Sequence, residues 1–234
     1  MTARDDLVWS YGGLEVVYRE ELDGRGSTLA PAFATFVAER TIAPYRCAFE
    51  WCAGPGFIGF ALLADGLCDH LCLADVNPAA VDCVRRTIER NGLHDRVHVR
   101  LGDNLAALPR DARFDLVVGN PPSFHALNPD HPRYARFRDD LRPNDRGWEV
   151  HRGFYRDIHR HLLPGAVLHI SEVDPDHAEV FVPRDEPIPY DVRPCPAGED
   201  FRAMIAEGGL RYVDTNHYFT DSDGAELAIM TSTL

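Results

Sequence analysis

The chain contains no lysine; all 24 of its basic residues are arginine. That excludes a Schiff-base lysine, a pyridoxal-phosphate lysine and the phosphate-gripping lysine of a P-loop. Metal-site spacing is missing as well. Cys47, Cys52, Cys68, Cys72, Cys83 and Cys195 form no C-x-x-C pair, and most fall on predicted strands or helices as small buried hydrophobes. The histidines are scattered: His94 and His98 straddle a turn, while His159 and His161 are too close to share a helix face. Asp174, Asp176 and His177 read as a polar loop, so no metal is expected. No apolar run approaches the roughly 20 residues that span a bilayer. The opening MTARDDLVWSYGG has neither the basic region nor the apolar core of a signal peptide. A cytoplasmic protein with no membrane partner is expected. Positive charge is also scarce, with 37 acidic residues giving a formal charge of −13. Polynucleotide binding draws much of its affinity from basic surface, so this balance argues against a nucleic-acid substrate.

What is present suits one compact α/β domain: 234 residues, 45% hydrophobic, with room for a sizeable core. Residues 7 to 20 hold two short β-like runs around Gly12 and Gly13 and read as a hairpin. GRGST, Gly24 to Thr28, reads as a loop capping a helix from near Leu29, with Leu29, Phe33 and Val37 at helical spacing. From Arg46 onward strand and helix patterns alternate, which implies a parallel sheet. Asn77 caps a helix that Pro78 opens, Val81, Val84 and Ile88 line, and Gly92 stops. Strands are predicted at Val97 to Leu101, Phe114 to Val118 and Ala166 to Ile170, and a helix at Asp200 to Glu207. Leu210 to Phe219 and Leu227 to Met230 form an antiparallel pair. Two long connections stand out. Ser123 to Arg146 mixes five arginines with aspartates, and Val182 to Pro196 carries five prolines.

Three strand ends carry polar residues in order. FEWCAGPGF, Phe49 to Phe57, ends a strand in a glycine-rich turn, with Glu50 beneath it and Gly54 and Gly56 open to close approach. HLCLAD ends in Asp75, about 20 positions after those glycines, where a carboxylate usually holds ribose hydroxyls. VHVRLGDN ends in Gly102, Asp103 and Asn104. FDLVVGNPPSF then places Asn120, Pro121 and Pro122 at the end of a fourth strand. Prolines donate nothing within a sheet or helix. The Asn120 and Pro121 carbonyls and the Asn120 side-chain oxygen are thus left to accept both N–H bonds of a planar –NH2 group.

These residues resemble the class I S-adenosylmethionine-dependent methyltransferases over roughly Cys47 to Ile170. The Asn-Pro-Pro signature is similar to that of enzymes methylating planar nitrogens, release-factor glutamine methyltransferases among them. The resemblance implies a Rossmann-like methyltransferase fold: a mostly parallel seven-stranded sheet, helices on both faces and an antiparallel C-terminal strand. It implies that residues 45–234 form that domain, with residues 1–44 as a hairpin and helix covering the cofactor site. S-adenosyl-L-methionine would be held by Glu50, Cys52, Gly54, Gly56, Asp75, Val76, Asp103, Asn104 and Asn120. Asn120 and Pro121 would be catalytic, and Pro122, Ser123, Phe124, His125 and Glu149 would line the acceptor pocket. Cys52 stands where the family has its first glycine, and Ser123 where it has Tyr or Phe.

The expected reaction is N-methylation of an amide, guanidino or amino nitrogen on a small molecule or protein side chain. A guanidinium acceptor would also need a carboxylate to take its proton, and Glu149 and Asp139 are nearest in sequence. The rival is a ribosomal RNA or DNA base amino-methyltransferase. A nicotinamide-dependent oxidoreductase would need a Tyr/Lys pair, which a lysine-free chain lacks. The sequence leaves the oligomeric state open, a homodimer included.

Overall fold

Short apolar runs alternating with amphipathic helices build one layered α/β structure, seen in a computed structural model that describes residues 6–122, 144–172, 201–220 and 226–234. A hairpin comes first, β1 (Leu7–Tyr11) and β2 (Leu14–Tyr18), followed by α1 (Gly26–Ala38). Then come β3 (Tyr45–Trp51), α2 (Phe57–Ala64), β4 (Cys68–Asp75), α3 (Pro78–Asn91), β5 (Val97–Leu101) and β6 (Phe114–Gly119). After a gap in the described residues follow α4 (Glu149–Asp157), β7 (Leu162–Glu172), α5 (Phe201–Glu207), β8 (Arg211–Thr220) and β9 (Glu226–Thr233).

Seven strands form one sheet in the order β5-β4-β3-β6-β7-β9-β8. Pairing is parallel from β5 to β7, and β9 runs antiparallel between β7 and β8. This is the expected mostly parallel sheet with its antiparallel C-terminal strand. Both faces are buried, as a parallel sheet requires. Strand alternation sends Ala48, Leu71, Leu73, Leu116 and Val118 to one face, against α1, α2 and α3. Phe49, Val117, Leu168 and Ile170 go to the other, against α4 and α5, joined by Phe114 from beyond the β6–β7 register shift. In α2, seven of eight residues are buried, so this helix is apolar on every side. Among the described residues no helix is long and apolar enough to cross a membrane.

The hairpin is bolted to the outer side of α2 and α3. The Val17 N–H donates to Thr87 Oγ1 (2.9 Å), and the Glu15 N–H to Asn91 Oδ1 (3.0 Å). Asn91 Nδ2 answers with a bond to the Glu15 carbonyl (2.9 Å). Asn77 caps α3 as expected, its Oδ1 accepting from the Ala79 N–H at 2.9 Å, and Gly92 ends it at φ 65°.

Two boundaries differ from the sequence reading. The first helix starts at Gly26, so Thr28 lies inside it rather than capping it; Asp23 accepts from the Ser27 N–H instead. A tertiary contact decides this, because a Cβ on Gly26 would lie 2.7 Å from the Phe57 ring. Strand β7 also runs longer than Ala166 to Ile170. It begins at Leu162, paired with Phe114, crosses a bulge and ends at Glu172.

Candidate active site

Sheet order reverses between β3 and β6: β4 and β5 lie to one side of β3, and β6 and β7 to the other. In open α/β sheets the crevice at the carboxyl ends of such a pair is where ligands bind. The glycine-rich turn after β3 occupies that place. Cys52 (φ 51°), Gly54 (φ 53°) and Gly56 (φ 86°) all adopt left-handed backbone. For Gly56 the reason is packing, since a Cβ there would lie 2.5 Å from Leu73 Cδ2. Gly54 is different: a Cβ there would meet only the Leu22 carbonyl oxygen, at 3.9 Å, so its face of the turn is open.

Asp75, at the end of β4, ties two turns together. Its Oδ2 accepts from the Gly54 N–H (2.7 Å) and its Oδ1 from the Asn77 N–H (2.8 Å). Burial raises its pKa above the ordinary carboxylate value, against the backbone N–H groups of Asn77, Gly54 and Val76. A carboxylate offers about four lone-pair sites. Asp75 therefore keeps capacity for ligand hydroxyls.

Glu50 lies beneath the turn, as expected. The residue is 3% exposed, and Oε2 accepts from the Gly59 N–H at 2.8 Å in the first turns of α2. Burial lifts its pKa to about 8 despite the Gly59 and Ile58 amides. Glu50 thus ties the end of β3 to α2. Gly59 is fitted to this carboxylate, since a Cβ would lie 2.6 Å from Glu50 Oε2 and 2.8 Å from Leu71 Cδ1. Gly59→Ala is expected to lower stability by about 1–3 kcal/mol through overpacking. Urea unfolding checks this, and an unchanged midpoint would mean that the contact gives way freely.

On the β5 side, Val76 and Asp103 are exposed beside the crevice. Asn104 (φ 50°) turns its Nδ2 to the Val150 carbonyl (2.8 Å). Its buried Oδ1 finds no partner among the described residues. On the β6 side, Gly119 lets the strand pass Trp51, whose carbonyl oxygen would be 2.9 Å from an added Cβ. Asn120 is half-buried, Pro121 buried and Pro122 half-buried at the strand end. Ser123, Phe124, His125 and Asp139 lie outside the described residues. Glu149 is exposed on the first turn of α4, so it is not held as a buried proton acceptor.

A buried polar chain that the sequence reading missed stands on the α4 side. His151 Nδ1 lies 2.5 Å from Asp145 Oδ2, and Nε2 lies 2.9 Å from Glu172 Oε2. Tyr155 OH donates to Glu172 Oε1 (2.7 Å), and the Val150 and His151 N–H groups donate to Asp145 (2.9 and 3.0 Å). Burial works to lower the His151 pKa, but Glu172 and Asp145 outweigh it and raise it to about 9. Trp51, stacked on Phe154 at 3.8 Å, meets the imidazole edge-on. The usable sequence signal was His151, Phe154 and Tyr155 at i, i+3 and i+4 on one helix face, with Glu172 ending an apolar strand as Asp75 does.

The electrostatics suit a cation. Burial first, then the carboxylates of Asp75, Asp145, Glu172 and Asp103, push the Cys52 thiol well above its ordinary pKa. Four acidic groups thus bear on the turn where the sulfonium and ammonium of S-adenosylmethionine would lie. With the open face of Gly54 and the spare acceptors of Asp75, the residues present fit that molecule. Among the described residues no three His, Cys, Asp or Glu side chains gather as a metal site.

Comparison with known proteins agrees. Residues 28–135 match the family model of the methyltransferase small domain. The release factor glutamine methyltransferase of Cereibacter sphaeroides is 29% identical over 161 residues, 65% of this chain and 54% of its own. Its counterpart from Streptomyces coelicolor is 31% identical over 144 residues, 57% of this chain and 48% of its own. An S-adenosylmethionine-dependent methyltransferase from Clostridium acetobutylicum superposes with a TM-score of 0.59 at 14% identity, over 88% of this chain and 92% of its own. The domain therefore has the fold of the class I S-adenosylmethionine-dependent methyltransferases, and under half of the chain matches the methyltransferase small domain. Within that class it resembles the release factor glutamine methyltransferases. The chain spans about half the length of these curated relatives.

Proposed function

We propose that the protein transfers a methyl group to a planar nitrogen of a small molecule or protein side chain. Asn-Pro-Pro at the carboxyl end of β6, beside the ligand turn of β3 at the switch point, carries this reading. S-adenosylmethionine, when bound, supplies an electrophilic methyl group on a positively charged sulfur. Cys52, Gly54 and Gly56 line its methionine end, with Glu50 holding the turn from beneath. Asp75 accepts from the ribose hydroxyls, and Val76, Asp103 and Asn104 border the adenine. The N-terminal segment would border this side around Leu22, whose carbonyl is the group nearest the open face of Gly54.

Asn120 and Pro121 do the work at the acceptor. Their carbonyls and the Asn120 side chain accept both N–H bonds of an –NH2 group, which fixes the nitrogen lone pair in line with the methyl carbon. The same acceptors stabilise the positive charge that grows on nitrogen. A glutamine side-chain amide is the first acceptor to test, because the relatives are named for it. Ser123 stands in the place of an aromatic residue, which is why the panel extends beyond glutamine.

A panel of glutaminyl peptides, guanidines, arylamines, total RNA and genomic DNA, incubated with labelled S-adenosylmethionine, tests the substrate class. Label is expected in the small or peptidic acceptors. Robust labelling of nucleic acid, with affinity falling steeply as salt rises, would establish the rival reading. Asp75→Ala is expected to weaken binding of S-adenosylhomocysteine by about 1.5–3 kcal/mol through lost charged hydrogen bonds. Calorimetry showing equal binding by variant and wild type would remove Asp75 from the site.

A further inference from the structure

Beyond the field of Asp145 and Glu172 at Cys52, the Asp145–His151–Glu172–Tyr155 chain has no role in the assignment above, yet Glu172 ends β7, the strand next to β6 and its Asn-Pro-Pro. The last rung joining β6 to β7 pairs Gly119 with Ile170. Two residues beyond that rung lie Pro121, past the end of β6, and Glu172, the last residue of β7, which alternation places on the α4-facing side with Ile170. Trp51, the β3 partner of Gly119, lies on that side too, and its indole meets the His151 ring at 5.3 Å. The side chains of His151, Asp145 and Glu172 are at most 1% exposed.

The hydrogen bonding and the raised His151 pKa together point to one charge state. A neutral imidazole has one N–H, but both ring nitrogens of His151 lie within hydrogen-bond distance of carboxylate oxygens. Only the doubly protonated ring donates to both. Two carboxylates and one imidazolium leave a net charge of minus one. Tyr155 and two backbone N–H groups complete the acceptors' partners, so the group is satisfied as well as buried.

We propose that Glu172 is a positioning residue for methyl transfer: held by His151, Asp145 and Tyr155, it keeps a fixed negative charge behind the acceptor carbonyls of Asn120 and Pro121. This deepens the proposed N-methylation and rests on it. As the nitrogen lone pair forms the new C–N bond, the C–S electron pair returns to sulfur. Positive charge passes to nitrogen until a proton leaves it for solvent. A buried anion on the acceptor side favours that later charge distribution, and it needs no reorganisation during the reaction. Burial keeps its field from being screened.

Glu172→Gln keeps the side chain's length and its contacts to Tyr155 and His151; with His151 then neutral, the net charge stays at minus one but rests on Asp145, no longer on Glu172. Three readouts on the full chain separate the outcomes. Imidazole ¹⁵N NMR at pH 7.5 is expected to show His151 doubly protonated in the wild type and neutral in the variant. Calorimetry with S-adenosylhomocysteine, which lacks the sulfonium charge, is expected to give affinities within about threefold of each other, because Glu172 bears on the Cys52 turn only through its field. Single-turnover transfer to the fastest acceptor of the panel is expected to slow by roughly 10–100-fold at saturation, in kcat rather than KM. A neutral His151 in the wild type, or transfer by the variant at the wild-type rate, overturns the inference and leaves the N-methylation reading standing. A wild type that binds no S-adenosylhomocysteine overturns both.

Discussion

Asn120→Ala is expected to cut methyl transfer by on the order of 100-fold or more, the usual loss when one preorganised polar contact to a reacting centre is removed. The position isolates that contact well. The last paired residue of β6 is Gly119, so truncating the next side chain breaks no rung of the sheet. Asn120 is also only half-buried, which leaves no large cavity. The fold and most of the cofactor affinity should survive, with a modest affinity loss if the side chain touches the methionine end as well. Turnover and calorimetry on the same preparation distinguish the two effects. A variant that keeps near-normal turnover on its best acceptor would reduce Asn-Pro-Pro to a rigid turn.

His151→Ala is expected to be the most destabilising of these substitutions, by about 3–5 kcal/mol, because it strands two buried carboxylates without their shared cation. Denaturant unfolding at several pH values reads the effect. The His151 pKa rises from 6.5 to about 9 on folding. Its contribution is therefore complete below pH 6.5 and is lost as pH rises through about 9. Glu50 slopes the same way between 4.5 and about 8, through burial rather than pairing. The difference between wild type and variant isolates the His151 part: large at pH 6, shrinking toward pH 9. A difference below about 1 kcal/mol, or one that does not change with pH, would show that the chain is not a charged bridge.

Much of the fold was legible because its signals are local. The hairpin around Gly12 and Gly13, the Asn77 cap with Pro78, and the Gly92 stop each depend on residues within a few positions. The α/β alternation fixed the parallel sheet through one rule of connection. What failed was set by contacts across the chain. The start of α1 is one case, where Gly26 lies tight against Phe57 of α2. The polar residues at the strand ends were legible for the same reason as the fold, since each strand end carries its own. The buried carboxylates beside α4 were not, because Asp145 and Glu172 are joined through His151, 6 and 21 residues away, whereas Glu149 was named for nearness in sequence. Ending β7 at Ile170 hid Glu172, because the strand runs on to that residue.

The most direct test of the central claim is to find the transferred atom. Isotopically labelled S-adenosylmethionine, the wild-type chain and the acceptor panel would be combined, and the methyl group located in the product by fragmentation mass spectrometry. A label on an amide, guanidino or amino nitrogen of a small or peptidic acceptor is expected. A label on oxygen or carbon, from an enzyme that binds the cofactor normally, would contradict the role given to Asn120 and Pro121.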